Sequence, residues 1–250
     1  MSTRGIADIV FVIDASASMR PCIDALRASI GSFVSSLDGP NAGSFDLQLE
    51  FIALKVDPHQ RTFIFNSSHE GQVLDTLYKE GASGRAKFWS KPAPFMKALQ
   101  GVSIGADEDT YIALDVALDL PWREARGCHR VVVLLTDEAP ETGFEPDQRK
   151  QRAMDLVRKM NDLRVKLFMV GPYSDMLVEL QAADGADSLQ IPDADVGSGL
   201  SRTDFGKILG AIAKSVSVSS NQSSPKPVAR ALYGQDNWGV GTGFDLEGSR

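Results

Sequence analysis

Short apolar runs alternate with segments of helical period along most of this chain, and this alternation most constrains the fold. The apolar runs are nearly continuous, which is typical of strands covered on both faces of a sheet. They occupy residues 9–13, 45–54, 62–65, 130–135, 165–170 and 188–191. Apolar residues at spacings of three and four predict helices over residues 23–37, 70–78, 113–118, 153–160, 175–182 and 203–216. This order predicts an α/β domain with a mostly parallel, Rossmann-like sheet and helices on both faces.

One pair of apolar runs departs from that alternation. Residues 45–54 and 62–65 are separated only by a short connection that contains Pro58. A connection of this kind fits a hairpin, so we expect one antiparallel strand at an edge of the sheet.

Residues 219–250 differ in composition from the rest of the chain, because they are rich in Ser, Gly, Pro and Asn. We therefore predict one domain over residues 1–218 and a C-terminal tail over residues 219–250, either flexible or partly docked through Trp238. Residues 81–95 contain Gly, Pro and aromatic side chains and are predicted to form a surface loop. Its aromatic residues either pack on the sheet or form a partner surface.

Composition limits the partners and the compartment. The chain has 26 Lys and Arg against 33 Asp and Glu, a net charge of −7, which indicates neither nucleic-acid binding nor attraction to anionic membranes. Its two cysteines, Cys22 and Cys128, form neither a disulfide framework nor a CxxC metal motif. The sequence has no signal-peptide pattern and no apolar segment long enough to span a bilayer, so we expect a cytoplasmic protein.

Two of the predicted strands have acidic residues at their carboxyl ends. The first ends in Asp14, and the run at residues 130–135 is followed by Thr136 and Asp137. Ligands of open α/β sheets bind outside the carboxyl ends of the strands, so adjacent strands would bring both carboxylates to one rim. Two like charges at that rim repel each other unless a cation lies between them.

The residues near this rim offer oxygen ligands and no thiolate. Ser16 and Ser18 follow Asp14 at alternate positions, and an acidic loop at residues 107–110 precedes the helix predicted at residues 113–118. Carboxylate and hydroxyl oxygens suit Mg²⁺, with Mn²⁺ or Ca²⁺ as alternatives, rather than zinc. The acidic loop could instead serve only to cap that helix, because acidic residues and threonine are favoured at helix N-termini.

These features together resemble the von Willebrand factor A (vWA) domain and its metal-ion-dependent adhesion site (MIDAS). The resemblance rests on the Asp-x-Ser-x-Ser motif that begins at Asp14, on the strand end at Asp137 and on the order of elements over residues 6–216. It implies a metal site formed by Asp14, Ser16 and Ser18, to which Asp137 contributes, often through water.

The family's middle loop usually supplies a threonine ligand, and here this sequence departs from the family pattern. Alignment on Ala113 and Leu114 places Glu108 at the usual threonine and Thr110 at the second one, whereas a one-residue shift nominates Asp109. With two aspartates already at the rim, a third carboxylate would make the site repel an acidic partner. We therefore predict that Glu108 strengthens metal retention or itself fills the position that is open to an acidic ligand.

The resemblance implies a metal-dependent protein-binding module, an adaptor or scaffold, rather than an enzyme. The enzymatic alternative is a Mg²⁺-dependent hydrolase such as a haloacid-dehalogenase-type phosphatase, whose Asp-x-Asp motif has an acid/base carboxylate where this chain has Ser16. The sequence also lacks a Gly-x-Ser-x-Gly elbow and a P-loop. A scaffold whose metal site is purely structural is the other alternative.

Two segments, residues 14–30 and 107–123, also resemble bacterial cytoplasmic vWA proteins of the tellurium-resistance-associated kind. Such proteins are linked with kinases and phosphatases. This resemblance implies a protein partner of that kind and a role in stress or phosphosignalling, while the sequence leaves the oligomeric state open.

Overall fold

The computed structural model describes most of the predicted strands and helices. The described residues are 5–14, 16–37, 45–56, 62–66, 72–73, 110–139, 146–191, 200, 204–219 and 238–240. The strands among them are β1 (Gly5–Asp14), β2 (Phe45–Val56), β3 (Thr62–Asn66), β4 (Gln72–Val73), β5 (Cys128–Leu135), β6 (Val165–Gly171), β7 (Asp187–Gln190) and β8 (Trp238–Val240). The helices among them are α1 (Arg20–Leu37), α2 (Thr110–Leu118), α3 (Pro146–Leu163), α4 (Asp175–Leu180) and α5 (Phe205–Ser219).

The sheet has a parallel centre and antiparallel edges. Its strand order is β4-β3-β2-β1-β5-β6-β7-β8. The five consecutive strands β2, β1, β5, β6 and β7 are parallel to one another, which confirms the predicted α/β class with a parallel sheet. The prediction of one antiparallel edge strand is not supported, because β3 and β4 pair antiparallel at one edge and β8 does so at the other.

Two of the antiparallel strands are too short for the sequence pattern to predict. β4 consists of residues 72–73 and lies within the segment that was expected to form a helix at residues 70–78. β8 consists of residues 238–240 and lies within the predicted tail. A run of two or three residues cannot establish an apolar period, so neither strand had a signal of its own. The loop predicted at residues 81–95 lies outside the described residues.

The side chains of β1 point alternately into two apolar layers. Phe11 and Ile13 pack with α1 and α5, whereas Val10 and Val12 pack with α2, α3 and α4. Because helices cover both faces of β1, its sequence is a continuous apolar run rather than an alternating one. On the first side Phe11 and Phe33 meet edge to face, with ring centroids 6.1 Å apart.

An arginine–aspartate pair stabilises the amino-terminal end of the parallel strands. Asp8 of β1 is completely buried, and Arg123 donates to its carboxylate from the backbone N at 2.9 Å and from Nε at 2.6 Å. Nη2 of Arg123 also donates to the carbonyl oxygens of Ala7 and Asp46, at 2.8 Å each. Arg130 in turn donates to the carbonyl oxygen of Arg123 from Nε at 2.7 Å. Through these hydrogen bonds, the segment that precedes β5 is held against β1 and β2.

Burial and this ion pair together shift the pKa values of Arg123 and Cys128. Burial alone would lower the pKa of Arg123, but the hydrogen bonds and the charge of Asp8 raise it. Burial, followed by the charge of Asp8, raises the pKa of the Cys128 thiol to about 11. Cys128 is therefore a neutral thiol near pH 7 and not a reactive thiolate.

The opposite end of the sheet is where the polar motifs of the sequence meet. β1 and β5 are parallel neighbours, with Ile13 opposite Leu135 at their carboxyl ends. The next residues, Asp14 and Thr136, therefore stand side by side at this rim. Among the described residues, none of the helices combines the length and hydrophobicity that crossing a bilayer requires.

Candidate metal centre

Two buried carboxylates define the candidate site. Asp14 is the last residue of β1 and is 4% exposed, and Asp137 follows β5 by two residues and is 0% exposed. Between β1 and α1 the chain turns tightly, with the N–H of Met19 donating to the carbonyl oxygen of Ser16 at 3.2 Å. This turn keeps the two serines of the Asp-x-Ser-x-Ser motif at the end of β1.

The carboxylate of Asp14 is held from two directions. Its Oδ1 accepts a hydrogen bond from the backbone N–H of Ser16 at 2.6 Å, and its Oδ2 accepts one from Oγ1 of Thr136 at 3.3 Å. The single hydroxyl hydrogen of Thr136 is shared between Asp14 and the carbonyl oxygen of Glu138, which lies 2.9 Å from Oγ1, and Oγ1 accepts from the N–H of Glu138 at 3.3 Å. The orientation of Asp14 therefore depends on its own loop and on the neighbouring strand.

The two serines link the two carboxylates, because Ser16 donates its N–H to Asp14 and its hydroxyl group is paired with that of Ser18, which reaches Asp137. The Oγ atoms of Ser16 and Ser18 lie 2.9 Å apart, and Oγ of Ser18 donates to Oδ1 of Asp137 at 3.1 Å. Both serines are partly exposed, whereas the two aspartates are buried. The structure thus brings together four residues that the sequence proposed as metal ligands, with the hydroxyl groups on the more accessible side.

The remaining candidates from the acidic loop are only partly described. Thr110 is the first residue of α2 and is 4% exposed, and α2 packs against β1 and β2. Glu108 and Asp109 lie outside the described residues. Their roles as ligands stay predictions.

Thr136 belongs to this site although it was not among the proposed ligands. The sequence places it directly before Asp137, but threonine is common in strands, so its presence at a strand end does not by itself indicate a site. Its contact with Asp14 depends on β1 and β5 being neighbours. The order of strands in the sheet determines which strands are neighbours, and a local sequence motif does not predict that order.

The site creates a negative potential in its surroundings. Cys22, in the first turn of α1, is completely buried. Burial, and then the charges of Asp14 and Asp137, raise the pKa of the Cys22 thiol well above its usual value. The same two charges that disfavour a thiolate there would favour a bound cation.

The donor set matches a hard cation that retains water. The site supplies the carboxylates of Asp14 and Asp137 and the neutral hydroxyl groups of Ser16 and Ser18. Among the described residues, no group of three or more His, Cys, Asp or Glu side chains is placed to hold a metal. Mg²⁺ characteristically takes one or two carboxylates and keeps several waters, and it prefers oxygen ligands. The residues present therefore fit Mg²⁺ by their chemistry.

Comparison with solved structures identifies the fold of the chain. No family model and no curated protein matches the sequence. A von Willebrand factor type A structure from Catenulispora acidiphila aligns with a TM-score of 0.55 at 14% identity, over 85% of this chain and 43% of that one. The open form of the pilus adhesin SpaC from Lactobacillus rhamnosus GG aligns at 0.53 and 14% identity, over 88% of this chain and 31% of that one.

A third structure of the same fold holds a metal ion. Proximal thread matrix protein 1 from the mussel byssus, with a zinc-occupied MIDAS motif, aligns with a TM-score of 0.52 at 18% identity, over 87% of this chain and 46% of that one. The present chain spans less than half the length of each of these three structures. At these identities the similarity is one of fold, and the fold is that of vWA domains.

Proposed function

We propose that this chain is a metal-dependent protein-binding module with a MIDAS-type Mg²⁺ site at Asp14, Ser16, Ser18 and Asp137. The observation that carries the proposal is that Ser16 and Ser18 link two buried carboxylates, through the N–H of Ser16 at Asp14 and through the paired serine hydroxyl groups at Asp137. Two buried like charges this closely linked destabilise a fold unless a cation offsets them. A divalent ion at the rim would do so, and vWA-fold neighbours that include an adhesin and a MIDAS-bearing matrix protein support an interaction role.

The four proposed ligands differ in charge. Asp14 and Asp137 supply the negative charge, and Ser16 and Ser18 supply neutral oxygen atoms. When bound, Mg²⁺ offers an electrophilic centre to an acidic side chain of a partner protein. Mn²⁺ and Ca²⁺ would suit the same oxygen set, and the zinc-occupied neighbour supports tolerance of more than one divalent ion.

Binding rather than catalysis is the proposed role, and the absence of a proton carrier at the motif supports it. At the position where an Asp-x-Asp phosphatase has an acid/base carboxylate, this chain has Ser16, whose hydroxyl group is paired with that of Ser18. We further propose a cytoplasmic location and a kinase or phosphatase partner in stress signalling. The support for both is the resemblance of residues 14–30 and 107–123 to bacterial cytoplasmic vWA proteins.

The proposal predicts that partner binding requires both Mg²⁺ and Asp14. In pull-downs from the source cell, we expect partners that are retained with Mg²⁺, lost with EDTA and lost with Asp14→Ala. Asp24→Ala is a matched control, since Asp24 lies on the exposed side of α1 and is 60% exposed. Circular dichroism would establish that each variant is folded.

Two other outcomes of the same experiment would contradict the proposal. An identical set of partners under all conditions would favour a scaffold with a structural metal site. Phosphatase or ATPase turnover that disappears in Asp14→Ala would instead favour the hydrolase.

Glu108 is predicted to limit how strongly acidic partners bind. We expect Glu108→Thr to lower the affinity for Mg²⁺ and to strengthen the binding of a carboxylate ligand, because it removes one negative charge near the ion. Calorimetric titration with Mg²⁺, followed by titration with the captured partner, measures both effects. Asp107→Thr removes the same charge one position away and serves as the control. If neither affinity changes in Glu108→Thr, Glu108 does not act at the ion.

A further inference from the structure

The last residue of β6 lies against the side chain that positions Asp14. A Cβ atom at Gly171 would come within 2.9 Å of Cγ2 of Thr136, 3.1 Å of Cδ1 of Leu177 and 3.2 Å of the carbonyl oxygen of Thr136. The backbone of Gly171 does not adopt positive φ, so its special property here is the space that it leaves. Real Cβ atoms essentially never approach other atoms as closely as the first of these distances.

Hydrogen bonds on both sides hold the backbone around Gly171, so it cannot easily move away from Thr136. On one side the N–H of Thr136 donates to the carbonyl oxygen of Val170 at 3.0 Å. On the other side the carbonyl oxygen of Gly171 accepts from the N–H of Ile191, also at 3.0 Å. An added methyl group would therefore displace the side chains of Thr136 and Leu177 rather than the strand.

Displacement of Thr136 would reach the candidate site directly. Its Oγ1 is one of the two groups that hold the carboxylate of Asp14, and the residue that follows it is Asp137. We propose that Gly171 is a positioning residue of the cation site, whose missing side chain lets Thr136 pack against β6 with its hydroxyl group at Asp14. This inference rests on the proposed function, because the site that Gly171 positions is the proposed Mg²⁺ site.

The first test measures Mg²⁺ affinity by isothermal titration calorimetry. Supporting groups behind metal ligands are typically worth about 10–100-fold in affinity, so Gly171→Ala is expected to weaken Mg²⁺ binding by that factor. Gly210→Ala is the matched control, since nothing lies within 4 Å of a Cβ atom built at Gly210. We expect it to leave the affinity unchanged.

A second substitution separates positioning from general damage to the fold. Thr136→Ser removes Cγ2, the atom that an added methyl group would meet first, and keeps the hydroxyl group. In the Gly171→Ala background it should restore part of the lost affinity, because it relieves the shortest contact and leaves those with Leu177 and with the carbonyl oxygen of Thr136. Thr136→Val lacks the hydroxyl group and should not restore it, although it preserves the size of the threonine side chain. Equal affinities of the single and the rescued variants would overturn the inference.

A readout without metal distinguishes failure of this inference from failure of the proposed function. Hydrogen exchange of the Ser16 N–H in metal-free protein reports how firmly Oδ1 of Asp14 is held. It should become faster in Gly171→Ala and return towards the original rate when Thr136→Ser is added. Wild-type protein that does not bind Mg²⁺ would refute the proposed function, while the exchange rates still decide the role of Gly171. Unchanged exchange in Gly171→Ala refutes that role.

Discussion

Asp137→Asn is expected to raise the stability of the metal-free protein while it abolishes stabilisation by Mg²⁺. The substitution keeps an oxygen that can accept from Ser18 but removes one of two buried negative charges. Without metal, relief of the repulsion with Asp14 should increase the free energy of unfolding, on the order of 1 kcal/mol. With Mg²⁺ at about 100 times its dissociation constant, wild-type protein should gain about 2.7 kcal/mol that the variant lacks.

These opposite signs distinguish a metal ligand from an ordinary structural residue. Loss of a structural hydrogen-bond acceptor would destabilise the protein with and without metal alike. Thermal unfolding of both proteins in EDTA and over a series of Mg²⁺ concentrations measures the two effects. Asp155→Asn is a control of the same chemistry, because Asp155 is 54% exposed on α3. Equal stabilisation of Asp137→Asn and wild type by Mg²⁺ would remove Asp137 from the site.

Arg123→Ala is expected to cause the largest loss of stability, about 3–5 kcal/mol of the free energy of unfolding. The size follows from Asp8, which is 0% exposed and would be left as a buried charge without its counter-ion. The same substitution also removes the hydrogen bonds of the guanidinium group to the backbone of Ala7 and Asp46. Urea unfolding followed by circular dichroism measures the change.

An exposed arginine and a rescue variant test that explanation. Arg158 is 66% exposed and pairs with Asp155 at 3.2 Å, so Arg158→Ala should cost no more than about 0.5 kcal/mol. Adding Asp8→Asn to Arg123→Ala should recover part of the loss, since it removes the unpaired charge. An Arg123→Ala variant as stable as Arg158→Ala would show that water reaches Asp8 and solvates it.

Local patterns predict part of the fold and part of the candidate site. The nearly continuous apolar runs predict the parallel strands, because strands that are buried on both faces have apolar side chains at most positions. The Asp-x-Ser-x-Ser motif and Asp137 could be proposed together because the carboxyl ends of parallel strands share one rim. In both cases the signal lies within a few consecutive residues.

Features that depend on distant residues could not be predicted in this way. Asp8 and Arg123 are 115 positions apart, and each reads in sequence as an ordinary surface charge. The roles of Thr136 and Gly171 depend on which strands lie next to β5. The strand at residues 238–240 has too few residues for a period and is recognisable only by its pairing with β7.

Strand β1 carries one carboxylate in its amino-terminal half and one at its carboxyl end, and the two carboxylates differ in the source of their counter-ion. Asp8 and Asp14 lie on the same face of β1, roughly 20 Å apart at about 3.3 Å per residue. The first has a permanent counter-ion, because Arg123 belongs to the same chain. On the proposed function, the counter-ion of Asp14 is a Mg²⁺ ion that binds from solution. The charge of Asp8 would then be neutralised under all conditions, whereas neutralisation of Asp14 would depend on the free magnesium concentration.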